Sequence, residues 1–131
     1  MSLRLLLVED KPATREQLIR IIEQSPYAIT CAIDGLDGLN CSKNHQYDVV
    51  LVDHKMPLMD GIALIKSLRQ LDAYAQTPIM LMTTQDAQHV QPIAEKAGAN
   101  LCLAKPVDAE RLLGLLHDLA AATGQPQQTT A

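Results

Sequence analysis

Glu9, Asp10, Asp53, Thr83 and Lys105 are the residues whose types and settings could do chemistry together. Each stands at the end of a short apolar run. Glu9 and Asp10 follow Leu3–Val8, Asp53 follows Asp48–Val52, Thr83 and Thr84 follow Ile79–Met82, and Lys105 follows Leu101–Ala104. Three carboxylates at close range repel and do not all stay ionised unaided. A hard divalent cation resolves that conflict, and Mg²⁺ prefers a few carboxylates with waters and phosphate oxygens. A lysine point charge and a threonine hydroxyl suit the oxygens of a phosphoryl group. Spacing favours Thr83 for the hydroxyl, with Thr84 as its competitor. A carboxylate in such a site can act as a nucleophile.

These residues meet only if the runs belong to one sheet. The runs, with a further one at Tyr27–Ile33, are apolar on both faces, which predicts parallel strands covered on both sides. Helical stripes lie between them. Leu18, Ile21 and Ile22 form one, and Leu64, Ile65 and Leu68 another. Val90, Ile93, Ala94 and Ala97 form a third, and Leu112, Leu115, Leu116 and Leu119 a fourth. A weaker pattern runs from Leu36 to Asn44. Asp60 and Asp108 are predicted N-caps with hydrophobic staples, and Gly98 a C-cap. Five strand–helix repeats imply a right-handed, doubly wound α/β fold. In such a sheet, sites form beyond the carboxyl ends of the strands.

Composition removes other functions. The 131 residues are one domain's length, with eleven basic and fifteen acidic side chains and a net charge of −4. That balance argues against binding a phosphate backbone directly. No Phe or Trp is present, and only three Tyr, which argues strongly against base-stacking platforms and requires an aliphatic core. No stretch approaches the roughly 20 apolar residues of a membrane span. Cys31, Cys41 and Cys102 have no metal-ligand spacing and are expected as free thiols of a cytoplasmic protein. A domain over 3–121 is expected, with 122–131 as a Gln/Thr-rich tail or linker stub.

The ordered motifs are Leu-Val-Glu-Asp at 7–10, Asp-Gly at 34–35, Asp-His-Lys-Met-Pro-Leu-Met-Asp-Gly at 53–61, Pro-Ile-Met-Leu-Met-Thr at 78–83, Ala-Gly-Ala at 97–99 and Lys-Pro at 105–106. Together they resemble the receiver (CheY-like) domain of two-component response regulators and hybrid sensor kinases. The resemblance implies a flavodoxin-like five-stranded parallel sheet, order 2-1-3-4-5, with five helices on both faces. It implies that Asp53 accepts a phosphoryl group from a sensor histidine kinase or a histidine phosphotransfer protein, and that the domain is not otherwise an enzyme. Mg²⁺ (or Mn²⁺) would be held by Glu9, Asp10, Asp53 and the backbone carbonyl of Lys55. Thr83 and Lys105 would engage the phosphoryl oxygens, and the Lys105–Pro106 peptide would be cis. Lys55 and Gln85 would flank the phosphoryl group and tune its hydrolysis. Homodimers would form through the fourth helix, fifth strand and fifth helix.

Three positions depart from that pattern. Cys102 stands where the family carries an aromatic switch residue. Pro92 falls in the fourth helix, and is expected as a first-turn residue of a shortened helix after a loop over 85–91. Thr84 replaces a small residue and would crowd phosphoryl access. His54 is expected to point out of the site, because neighbours on a strand alternate faces. His45, His89 and His117 are expected on the surface. Competing readings are a receiver-fold interaction module that works without phosphorylation and, ranked well below, a flavodoxin-like cofactor binder or small phosphatase.

Overall fold

The computed structural model describes residues 2–129, with side chains to Ala122. Strands β1 (Leu3–Val8), β2 (Tyr27–Ala32), β3 (Val49–Asp53), β4 (Ile79–Thr83) and β5 (Leu101–Ala104) alternate with helices α1 (Pro12–Ile22), α2 (Gly35–Asn44), α3 (Gly61–Arg69), α4 (Ala87–Ala97) and α5 (Ala109–Thr129). All strand pairs are parallel, in the order β2-β1-β3-β4-β5. The order reverses between β1 and β3, which puts the ends of those two strands at a topological switch point.

Two apolar layers flank the sheet. Leu6, Val8, Val50, Val52, Ile79 and Leu81 pack with residues of α3 and α4. Leu5, Leu7, Val49, Leu51, Met80 and Leu103 pack with Leu18 and Ile22 of α1 and Leu112 and Leu116 of α5. Leu5 to Val8 are all fully buried, each stabilising the fold by about 1.5–3 kcal/mol. The edge strand β2 is less covered, and Ala28 and Cys31 are exposed.

The helix starts follow local chemistry. Pro12 opens α1, where its missing N–H costs nothing. The carboxylates of Asp34, Asp60 and Asp108 accept the backbone N–H groups of Asp37, Ala63 and Arg111. Gly61 begins α3 against the Asp53 carbonyl and the Leu81 side chain, so closely that a Cβ there would collide with both. Gly98 ends α4 with φ 121°, a backbone setting that glycine adopts freely.

Two expectations change. Pro92 lies inside α4, not at its first turn. The helix starts earlier because Asp86 caps it, its carboxylate accepting Gln88 N–H and its carbonyl accepting from His89 and Val90. The carbonyl of Gln88 loses its helical donor, but Gln88 and Pro92 both lie on the exposed side of the helix. Ile93, assigned to the buried stripe, is 50% exposed, because α4 turns only Val90, Ala94 and Ala97 inward. The segment 122–131, expected as a tail or linker stub, has helical backbone to Thr129, and residues 130 and 131 lie outside the described residues.

Candidate phosphoryl-transfer site

β1, β3 and β5 deliver three charged side chains to one spot. Glu9 is fully buried, and Asp53 is 3% exposed as the last residue of β3. Lys105 Nζ donates to Asp53 Oδ1 at 2.8 Å and to Glu9 Oε1 at 2.9 Å. The second Glu9 oxygen accepts Lys11 N–H at 3.2 Å. Glu9, Asp10 and Asp53 each offer an oxygen within 4.8 Å of the others. Burial pushes the Glu9 carboxyl above its ordinary pKa, against the opposing pull of Lys105. Burial alone would lower the Lys105 ammonium, but its bonds to Asp53 and Glu9 outweigh that and raise it.

Two oxygens of the cluster have no hydrogen-bond partner among the described residues. Asp10 Oδ1 and Asp53 Oδ2 are buried and accept no hydrogen bond. Lys105 alone among the described residues is in ion-pair contact with these carboxylates, and the Arg15 guanidinium donates to the Glu9 carbonyl at 2.7 Å, so carboxylate charge is in excess there. Orphaned oxygens and that excess fit a divalent cation with hard oxygen ligands, and Mg²⁺ suits both.

Lys55, Thr84 and Gln85 are exposed. Thr84, Lys105 and Pro106 line a groove of about 230 Å³ with Lys11, Leu18 and Val107. The Lys105–Pro106 peptide is cis. Cys102 is 4% exposed and packs in the layer that holds Val90, Ala94, Ala97 and Ala99. His45, His89 and His117 are exposed, as expected.

His54 corrects the sequence reading. It is 6% exposed, and its Nδ1 lies 2.9 Å from Thr83 Oγ1. Alternation does turn His54 away from Asp53, but onto the face that carries Thr83. The β3–β4 register pairs Asp53 with Met82, so the next positions along are His54 and Thr83. The sequence contains this signal only once that register is known. Burial and the positive charge of Lys55 hold the His54 imidazole below its ordinary pKa.

The sequence profile of the response regulator receiver domain matches residues 5–117. The chain belongs to the receiver domain family. This receiver is 35% identical over 126 residues to the sensory/regulatory protein RpfC of Xanthomonas campestris, covering 95% of this chain and 17% of that protein. It is 32% identical over 123 residues to the response regulator MprA of Mycobacterium, covering 94% and 53%. The receiver thus spans from a sixth to about half of those relatives. Among solved structures it resembles the chemotaxis protein CheY4 of Vibrio cholerae, with TM-score 0.83, 28% identity, and 91% and 99% of the two chains covered. It also resembles the receiver domain of the sensor histidine kinase PA1611 of Pseudomonas aeruginosa, with TM-score 0.82, 26% identity, and 91% and 98% covered. The PA1611 structure has a magnesium ion coordinated in its active-site cleft. Among the described residues of this receiver, no helix is long and apolar enough to cross a membrane.

Proposed function

We propose that Asp53 is the phosphoacceptor of a two-component relay. The donor is a phosphohistidine on a sensor kinase or a phosphotransfer protein in the cytoplasm. The observation that carries this reading is the buried Lys105 bridge between Asp53 and Glu9, with Asp53 Oδ2 and Asp10 Oδ1 left unpartnered beside it.

The chemistry follows from those atoms. Asp53 attacks phosphorus in line and the histidine nitrogen leaves. Lys105 lies beside the carboxylate and neutralises charge gathering on the transferred oxygens, so positioning and electrostatics do most of the work. Glu9 holds Lys105 in place. Glu9, Asp10, Asp53 and the Lys55 carbonyl would hold Mg²⁺ (or Mn²⁺), which supplies further charge neutralisation when bound. Thr83 would donate to a phosphoryl oxygen, while Lys55 and Gln85 flank the group and set its hydrolysis. The groove beside Lys105 suits the docking of a donor helix, with apolar Leu18 and Val107 next to the lysine. Residues 3–121 form the functional unit, 122–131 are a tail or linker stub, and α4, β5 and α5 are the surface for a second copy.

The test is incubation with Mg²⁺ and a small phosphodonor, read by intact mass. A phosphoryl adduct absent from Asp53→Asn supports the assignment. No adduct, or one that survives the substitution, sinks it. Cys102 in place of an aromatic favours the second reading, a module that works without phosphorylation, and the first of those outcomes would leave that reading standing.

A further inference from the structure

The hydroxyl needed for the phosphoryl oxygen is already engaged. Thr83 Oγ1 accepts the Gln85 backbone N–H at 3.0 Å and lies 2.9 Å from His54 Nδ1. Thr83 is 1% exposed and His54 6%, so water does not compete freely for either. A hydroxyl has one proton and two acceptor lone pairs, and Gln85 uses one of the pairs. When Nδ1 is the bare nitrogen of a neutral imidazole, it accepts the hydrogen bond that the Thr83 hydroxyl donates, leaving no donor for a phosphoryl oxygen.

We propose that His54 is a positioning residue for Thr83: it receives the hydroxyl's hydrogen bond in the resting domain, and phosphorylation of Asp53 takes that bond from it. The proposal rests on Asp53 being the phosphoacceptor.

The placement of the residues favours this exchange. Asp53 and His54 are consecutive, and their side chains leave opposite faces of the sheet. Thr83 stands across from His54 at the end of the neighbouring strand. Among the described residues, the hydrogen bond to Thr83 is the only one that the His54 ring makes. A buried ring that loses its one partner must turn to find another. The His54 carbonyl also accepts the Gly61 N–H at 2.8 Å, which ties it to the start of α3.

Cys102 is poorly placed to do the same. Its register partner is Leu81, two residues before Thr83. It is buried, and among the described residues its sulfur makes no hydrogen bond that could follow the threonine. His54 gives this receiver a polar ring bonded directly to the threonine, on a different strand from the missing aromatic.

The experiment is ¹⁵N imidazole NMR of the full chain at one fixed pH with Mg²⁺, with acetyl phosphate as donor and intact mass read on the same sample. The His54 Nδ1 resonance should lie in the acceptor range and move in Thr83→Val without any donor. It should move in the same direction when the wild type is phosphorylated, and not respond to donor in Asp53→Asn. In kinetics, His54→Leu frees the hydroxyl and should speed adduct formation about 2- to 10-fold, the worth of one net hydrogen bond. His54→Asn keeps an acceptor near the Nδ1 position and should restore the wild-type rate. The proposal is overturned if the resonance is the same in wild type and Thr83→Val, or if it stays still in fully phosphorylated protein. Equal rates for the leucine and asparagine variants would also overturn it. The Thr83→Val comparison decides even where the leucine variant does not fold. Absence of any adduct removes the phosphoacceptor reading together with this one, whereas a phosphorylated protein with an unmoved His54 removes this one alone.

Discussion

Adding Mg²⁺ to the metal-free domain should raise its melting temperature by about 10 °C. The size follows from the two orphaned oxygens, Asp10 Oδ1 and Asp53 Oδ2. Each buried unsatisfied group costs about 1–3 kcal/mol, so the metal-free fold carries about 2–6 kcal/mol that a bound cation relieves. Mass action gives a matching figure, since a ligand at a hundredfold excess over its Kd stabilises by about 2.7 kcal/mol. For a chain of 131 residues, each kcal/mol moves the midpoint by about 3–5 °C. The control is Asp10→Asn. At up to 4.8 Å between oxygens, each pair of carboxylate charges repels by about 3 kcal/mol at an effective dielectric constant of 20. Solvent at the half-buried Asp10 reduces the net relief to about 1 kcal/mol. The metal-free variant should therefore melt a few degrees higher than wild type, and Mg²⁺ should add little. Scanning calorimetry in EDTA and in millimolar MgCl₂ reads both effects. An unchanged wild-type midpoint in Mg²⁺, or an equal rise in Asp10→Asn, would refute the reasoning.

Four further outcomes are expected. Pro92→Ala restores the backbone donor to the Gln88 carbonyl and should raise stability by about 1–3 kcal/mol, read as a higher urea midpoint at an unchanged slope. Arg69→Ala deletes five hydrogen bonds to Tyr74, Thr77, Gly98 and Asn100 and should cost about 2–4 kcal/mol in the same titration. Burial and the Asp48 charge push the Tyr27 phenol up to about 12, so folding holds a proton that the unfolded chain releases near pH 10. Its contribution is complete below pH 10 and is lost as pH rises towards 12, which thermal melts across that window, with phenolate absorbance as a second probe, will follow. Cys102→Tyr overfills a layer lined by Ala94, Ala97 and Ala99 and should destabilise by about 1–3 kcal/mol; equal urea midpoints would show that the layer has room for a ring.

The sheet was legible because its strands are apolar on both faces and end in polar residues at the same edge. Leu3–Val8 and Leu101–Ala104 appear with the bounds expected from sequence. The charged cluster was legible for the same reason, since Glu9, Asp10, Asp53 and Lys105 each follow such a run. α4 was misread because Pro92 carries a strong local signal against a helix interior. A side-chain cap at Asp86 and an exposed Gln88 carbonyl outweigh that signal, and both depend on the surrounding fold. His54 was misread because alternation gives the face but not what already stands there.

That alternation also separates the two halves of the site. Glu9 continues the row of Leu5 and Leu7, Asp53 the row of Val49 and Leu51, and Lys105 the row of Leu101 and Leu103. All three rows face α1 and α5. Thr83 continues the row of Ile79 and Leu81, and His54 follows Val50 and Val52, on the face of α3 and α4. The charged chemistry therefore belongs to one side of the sheet and the hydroxyl–imidazole pair to the other. The two sides meet only at the carboxyl edge, where the strands run out and side chains reach past the backbone. On the proposed reading, a phosphoryl group on Asp53 would meet the Thr83 hydroxyl at that edge, because the two side chains leave opposite faces of the sheet. The proposed exchange would then cost one rotated hydroxyl and one broken hydrogen bond, a small enough change for the roughly −1.5 to −2 charge of a phosphoryl group to drive.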